Sequence, residues 1–274
     1  MPKFSIITPC YYDREDEDNK RQPRYEMFLR CAKSVHAQTF EDWEWLIGDD
    51  ISRPSVDDVL LESGLDLDKI VVTRLSEKSG RIGATNAALD VATGDWICLL
   101  DADDEYASIY LEAIDKAIKT YPDYEMFNFN HLIFSYDFGT SIRKFLDVEK
   151  IDKRPFGSGS IGLGAFVVKK TVLDTIERLP VVSLWDLRDW FFERNPEVKE
   201  FFWNNNNKDY NSLGNPWGND YAMFYMLIKK LDYKCKYLDT ALYYVHSHYG
   251  HRWPEDPDYL MGEGKKPEWN KNLI

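Results

Sequence analysis

No apolar run in this sequence approaches the ~20 residues that a membrane-spanning helix needs, so no transmembrane segment is expected. Positive charge is also short: 34 Lys and Arg face 47 Asp and Glu across 274 residues, a net charge of −13. A chain of that sign repels nucleic-acid phosphates, and no nucleic-acid partner is expected. If it handles phosphates at all, it needs local cations or a bound metal. Cysteine is sparse and scattered (Cys10, Cys31, Cys98, Cys235), with no CxxC pair. Cys98 lies in a strongly apolar segment and reads as a buried thiol, which suits a reduced, cytosolic protein. The opening residues Met1-Pro2-Lys3 run straight into a short apolar stretch without a charged leader or cleavage site, so no signal peptide is expected.

Hydrophobic residues are plentiful at 44%, and aromatics reach 15%, so the chain can bury a real core. Up to about residue 120, short apolar runs alternate with helical patterns, the signature of βαβ units and a mainly parallel sheet. Strands are expected at Phe4–Pro9, Trp43–Gly48, Ile70–Leu75 and Trp96–Leu100, with helices near Tyr25–Gln38, Val56–Leu61, Gly83–Ala92 and Ser108–Thr120. Residues 11–24 are polar and read as an exposed loop. Beyond 120 the pattern loosens. Met126–Asn130, Leu132–Phe134, Ala165–Val168 and Ala241–His246 read as strands of a smaller mixed sheet, and Val172–Arg178 and Tyr221–Lys230 as helices. No internal repeat or linker interrupts the chain, so 1–274 is read as one domain of two subregions, 1–106 and 107–274.

Two of the expected strands end in paired aspartates: Asp49-Asp50, and Asp101-Ala102-Asp103-Asp104. In an open α/β sheet the ligand crevice lies outside the carboxyl ends of the strands, where both pairs would sit. Aspartates at i and i+2 offer oxygen donors to a hard cation, Mn²⁺ or Mg²⁺, which such sites share with substrate phosphates. An isolated acidic turn more often caps the following helix; its place after a buried strand, with a second aspartate pair alongside, favours chemistry here. The late histidines His246-Ser247-His248 and His251 follow a strand. His246, nearest the strand end, could supply a metal ligand or a diphosphate contact. His36 and His131 read as structural.

The chain resembles glycosyltransferase family 2, the nucleotide-diphospho-sugar transferases of the GT-A fold. The resemblance runs through Ser5–Pro9, Ser34–Phe40, Trp45–Asp50, Gly83–Leu89 and Ala92–Asp104, in the family's order and spacing over residues 4–106. It implies an α/β GT-A fold, Rossmann-like, with a mainly parallel sheet flanked by helices and a smaller mixed sheet in the C-terminal half. It implies transfer of a sugar from a nucleotide-diphosphate donor, UDP-linked by expectation, to a glycan or lipid-linked acceptor hydroxyl, with inversion and with Mn²⁺ or Mg²⁺.

Residue by residue, the resemblance makes Thr8 and Pro9 the nucleotide-contacting turn and Asp50, or its neighbour Asp49, the acid that bonds the base. It puts Arg81 and Asn86 on the nucleotide side, Asp101 and Ala102 at the nucleotide-sugar, and Asp103 on the metal, which His246 completes. Residues 1–106 then bind the donor and 107–274 the acceptor. Asp220, at the start of a helix in Gly214–Tyr221, matches the catalytic base of inverting members, although Asn219 stands where a second acid is common. The glycine-rich stretch 157–164 lacks the Gly-Lys-Ser/Thr ending of a phosphate loop and reads as a mobile segment near the acceptor. Trp217, Trp185, Trp190, Phe191 and Phe192 could stack on sugar faces, although aromatics at helical spacing are usually core. A cytosolic protein, with peripheral membrane docking still open to it, is expected. A non-catalytic sugar-nucleotide or glycan-binding protein that keeps the same fold is the alternative.

Overall fold

The structure, a computed structural model, describes residues 2–13, 24–135, 139–143, 164, 166–176, 192–196 and 231–247. Four short apolar strands form its first half: β1 (Phe4–Cys10), β2 (Trp43–Asp49), β3 (Ile70–Arg74) and β4 (Trp96–Leu99). They pair in the order β3-β2-β1-β4, all parallel. β1 and β2 are buried on both faces, which is why they read as continuous apolar runs. Parallel pairing needs crossovers, and α1 (Arg24–His36), α2 (Val56–Ser63) and α3 (Gly80–Asp90) supply them. The chain moves outward from β1 to β3 and then returns to β4 on β1's other side. That reversal makes the carboxyl ends of β1 and β4 the topological switch point, the usual place for a ligand.

The sheet continues through β8 (Phe166–Lys169), which runs antiparallel to β4. β6 (Met126–Ser135), β9 (Cys235–Ser247), β5 (Glu105–Tyr106) and β7 (Gly139–Arg143) complete nine strands among the described residues. The mixed part expected in the C-terminal half is thus hydrogen-bonded edge to edge with the parallel part, as one sheet. β6 unites the two strands expected at 126–134, and β9 begins at Cys235, six residues before the expected Ala241. The helix expected from Val172 is α5, Lys170–Leu173. The expected helix 221–230 lies outside the described residues.

One face of the parallel half carries the main core. α1 buries Met27 and turns Phe28, Cys31, Ala32 and Val35 inward, into the cluster with Phe4, Ile6, Trp45, Ile47 and Cys98. Phe28 stacks on Trp45 with ring centroids 5.8 Å apart. Each such buried side chain contributes roughly 1.5–3 kcal/mol. Tyr12, expected in an exposed loop, is buried: its ring tilts against Phe28 and its hydroxyl donates to the Ser55 carbonyl. On the opposite face, α3 lies so close to β2 that a Cβ on Gly48 would come within 1.9 Å of the Ala84 carbonyl oxygen. Only glycine allows that approach, and it brings the start of α3 to the carboxyl edge of β2.

α4 (Tyr110–Thr120) closes the same core with Tyr110, Leu111 and Ile114. Its start is fixed from α1 and the turn that follows. The Ser34 hydroxyl accepts the Tyr106 N–H, and the Gln38 amide donates to the Ala107 carbonyl and accepts the Leu111 N–H. The Ser34–Phe40 stretch therefore holds the backbone that follows the second aspartate group. The four cysteines are buried and free, Cys98 as the sequence suggested, and burial pushes its thiol above its ordinary range.

Candidate active site

Asp49 ends β2, fully buried. One carboxylate oxygen accepts the Ser52 N–H at 2.7 Å; the other accepts the Val56 N–H and pairs with the Arg74 guanidinium on β3. Arg74 also donates to the Ser52 carbonyl at 3.1 Å. Asp50 is 2% exposed. Its two oxygens accept the Ser79 and Gly80 N–H groups at 2.7 and 3.0 Å, placing a carboxylate at the positive end of α3. Ile51 then turns at φ 63°, a conformation that a β-branched residue rarely adopts. The bonds from Asp49 and Asp50 on either side hold it there. Of the two acids expected at the base, both thus have each oxygen engaged within the protein.

The second aspartate group starts where β4 ends, beside β1, tied by the Leu100 N–H to the Ile7 carbonyl. Asp101, Ala102 and Asp103 are half-buried and Asp104 is buried. The Arg81 guanidinium, from the first turn of α3, bonds both Asp101 oxygens through one nitrogen at 2.8 and 3.1 Å. The start of α3 thus touches Asp50 with its backbone and Asp101 with a side chain, so the two aspartate turns share one helix end. Asn86 sits further along the same helix.

Asp104 is held from β9, where one oxygen accepts the His246 N–H at 3.0 Å. Burial pushes the Asp104 carboxyl well above its ordinary range, and the neighbouring Asp103 and Asp101 charges push it further. Arg30 on α1 reaches the same turn, donating to the Asp103 carbonyl at 3.0 Å and lying 3.0 Å from Glu105 Oε1. His246 Nε2 lies 2.6 Å from that Glu105 oxygen, and its ring stacks on Phe134.

Of the expected residues, Thr8 and Pro9 do end β1 at this edge. Thr8 is fully buried, however, and its hydroxyl accepts the Trp45 indole N–H at 2.9 Å, so its side chain serves the core. Asp49, Asp50, Arg81, Asp101, Ala102, Asp103 and His246 gather along the same edge. Asp220, Trp217, Trp185, Trp190 and Phe191 lie outside the described residues; Phe192 is buried and so not an exposed sugar platform. His36 and His131 are structural: both His36 nitrogens face backbone carbonyls, and His131 stacks on Tyr243.

Among the described residues, no three or more His, Cys, Asp or Glu side chains are grouped to hold a metal ion. Carboxylate oxygens such as those of the 101–104 turn are of the type that a hard cation takes together with phosphate and water oxygens. His246 is brought to this turn, but with its Nε2 on Glu105. Arg30, Glu105 and Tyr243 were not foreseen. They act across long stretches of sequence, and no local pattern marks them.

The profile of glycosyl transferase family 2 matches residues 5–147. A Campylobacter jejuni protein named GalNAc(5)-diNAcBac-PP-undecaprenol β-1,3-glucosyltransferase is 33% identical over 39% of this chain and 32% of its own length. The Escherichia coli UDP-Glc:α-D-GlcNAc-diphosphoundecaprenol β-1,3-glucosyltransferase WfgD is 29% identical over 57% of this chain and 60% of its own. These matches span less than two thirds of either relative. Among solved structures, S. aureus TarS superposes with a TM-score of 0.54 at 17% identity, over 89% of this chain and 60% of that one. The mannosyltransferase PcManGT of Pyrobaculum calidifontis, solved with GDP-Man and Mn²⁺, superposes at 0.53 and 14% identity, over 92% and 58%. The curled α/β sheet with its flanking helices is the GT-A fold. With the family profile covering more than half of its residues, this chain belongs to glycosyl transferase family 2.

Proposed function

We propose that this glycosyltransferase moves a sugar from a nucleotide-diphosphate donor, UDP-linked, to a hydroxyl of a lipid-linked glycan, with inversion. The observation that carries the reading is the Asp101–Asp104 turn at the switch point of the sheet, faced by Arg81 from α3. Two further findings support it. The E. coli relative is named for a UDP-Glc donor and a diphosphoundecaprenol-linked acceptor, and the C. jejuni relative for a PP-undecaprenol-linked one. No helix among the described residues is long and apolar enough to cross a membrane, so such an acceptor would be met at a membrane surface, from the cytosolic side.

Residues 1–106 bind the donor in this reading and 107–274 the acceptor, within one domain. Asp101, the Ala102 backbone, the β1 end at Thr8-Pro9 and the α3 residues Arg81 and Asn86 grip the nucleotide-sugar. Asp50 positions the start of α3 for that grip. Asp103 would hold Mn²⁺ or Mg²⁺, joined by His246 if its contact with Glu105 opens. Bound there, the cation would neutralise charge on the diphosphate leaving group. Asp220 takes the proton of the acceptor hydroxyl as its oxygen attacks the anomeric carbon. The bond from that carbon to the diphosphate breaks, its electron pair staying on the phosphate oxygen.

The test is transfer from UDP-, GDP- and dTDP-sugars to an undecaprenyl-diphosphate-linked sugar, with Mn²⁺ or Mg²⁺ and with EDTA. The expected result is transfer from a UDP-sugar that EDTA abolishes and Asp220→Asn reduces at least a hundredfold while donor binding persists. Full activity in EDTA would overturn the metal role, and full activity of Asp220→Asn the role of base.

A further inference from the structure

We infer that Tyr243 is a positioning residue for the donor site, its hydroxyl fixing the first residue of the Asp101–Asp104 turn and its ring seated flush against Gly164. The inference rests on reading that turn as the donor-diphosphate site. The Tyr243 oxygen accepts the Asp101 N–H at 3.0 Å. One atom from β9 thus holds the first residue of the turn, 142 positions away in sequence, and β9 also holds its last residue, through the His246 N–H at 3.0 Å from Asp104. Between them lie Ala102 and Asp103, whose placement relative to Asp101 follows from how the turn is closed.

The phenol has almost no freedom to move. Tyr243 is 1% exposed. His131 stacks on its ring with centroids 4.6 Å apart, and Tyr106 meets it edge-on at 5.7 Å. A Cβ on Gly164 would lie 1.9 Å from Tyr243 Cε2, so only glycine leaves room for the ring where it is. The last glycine of the 157–164 stretch therefore has a definite task, as the seat of this ring. The hydroxyl occupies one point in space because three walls define the ring, and the turn is hung on that point. Catalytic carboxylates work only when held to a fraction of an ångström, and such precision comes from side chains locked by their own packing.

Tyr243→Phe keeps the ring and its packing and removes only the tie. Its melting temperature and the affinity of the full chain, with Mn²⁺, for UDP, GDP or dTDP, whichever the wild type binds, separate a positioning role from a structural one. The expected result is a melting temperature within a few degrees of wild type and affinity lowered roughly tenfold to thirtyfold. Donor KM should rise in parallel. Gly164→Ala, which displaces the ring without altering its chemistry, should move affinity in the same direction. In a double-mutant cycle with Gly164→Ala, the two losses should be less than additive, because both loosen the same contact to the Asp101 N–H.

Affinity of Tyr243→Phe within twofold of wild type, or losses that simply add, would overturn the inference. Asp103→Ala keeps the two failures apart. If that variant binds and transfers like wild type, the reading of the turn itself is wrong. If it is inactive while Tyr243→Phe is unimpaired, the positioning role alone is lost.

Discussion

The two aspartate turns look alike in sequence and end β2 and β4, the strands on either side of β1, yet their electrostatics differ. At Asp49-Asp50 the carboxylate oxygens meet N–H groups or the Arg74 guanidinium, all supplied by the protein. At Asp101–Asp104 three carboxylates crowd one turn, and their mutual repulsion helps push Asp104 well up. A satisfied carboxylate stabilises a fold, whereas a crowded one stores a demand for positive charge. The first pair is held by groups the protein itself supplies, and the second is where the proposed cation or donor would add positive charge. The fold pairs the two: the satisfied turn fixes the start of α3, and that helix presents Arg81 to the crowded one.

The largest effects should come from exchanging alanine into each turn and reading stability and activity separately. Asp103→Ala should abolish transfer, by roughly a thousandfold or more, with a melting temperature within a few degrees of wild type. Asp49→Ala should do the reverse in kind. It leaves the Ser52 and Val56 N–H groups and the half-exposed Arg74 without their buried acceptor, costing about 3 kcal/mol of stability. Thermal melts beside initial rates decide the matter: if Asp49→Ala keeps wild-type stability, or Asp103→Ala melts several degrees lower, the division between scaffold and chemistry fails.

A finer test uses Asp104, the most crowded carboxyl. Its native-state pKa lies above the ordinary carboxylate range, so between the two values the folded chain holds a proton that the unfolded chain has released. Stability from this group is therefore fully present below the ordinary range and is lost as pH rises through the raised value. Asp104→Asn removes that loss while leaving an oxygen to accept the His246 N–H. Relative to the variant, wild type should become less stable as pH rises across this window, and the gap should be constant above it. Denaturant melts of both proteins from pH 4 to 8 measure the difference; parallel curves would show that Asp104 is not destabilised by its neighbours.

How much of this was legible in the sequence follows from the same contrast. The parallel half could be read because its strands are buried on both faces, so Phe4–Pro9, Trp43–Gly48 and Trp96–Leu100 stand out as apolar runs. The mixed half could be read only in part. β9 opens with charged residues at Lys236 and Asp239, which hid its first six residues, while β5 has two residues and carries no periodicity. That aspartates would cluster at the sheet edge was readable, because strand ends determine it. Which of them would be satisfied was not, since Arg74 lies 25 positions from Asp49, and Ser79 lies 29 from Asp50. Tyr243 was hidden for the same reason: it looks like one more aromatic in an aromatic strand.

The smallest expected effect sharpens the comparison at the one place where the two turns touch. Arg81 and Asp101 are partly exposed, so their pair should add no more than about 1 kcal/mol to stability. The guanidinium bonds both oxygens of the Asp101 carboxylate through a single nitrogen, so this contact does not use the planar fork that distinguishes arginine from lysine. Arg81→Lys should therefore stay within about twofold of wild type in donor KM, while Arg81→Ala raises it about fivefold and leaves the melting temperature almost unchanged. The contrast isolates charge from shape. A lysine as damaging as alanine would mean that Arg81 meets the donor with its full fork, and that the bond to Asp101 is the resting partner of a group whose working partner is the diphosphate.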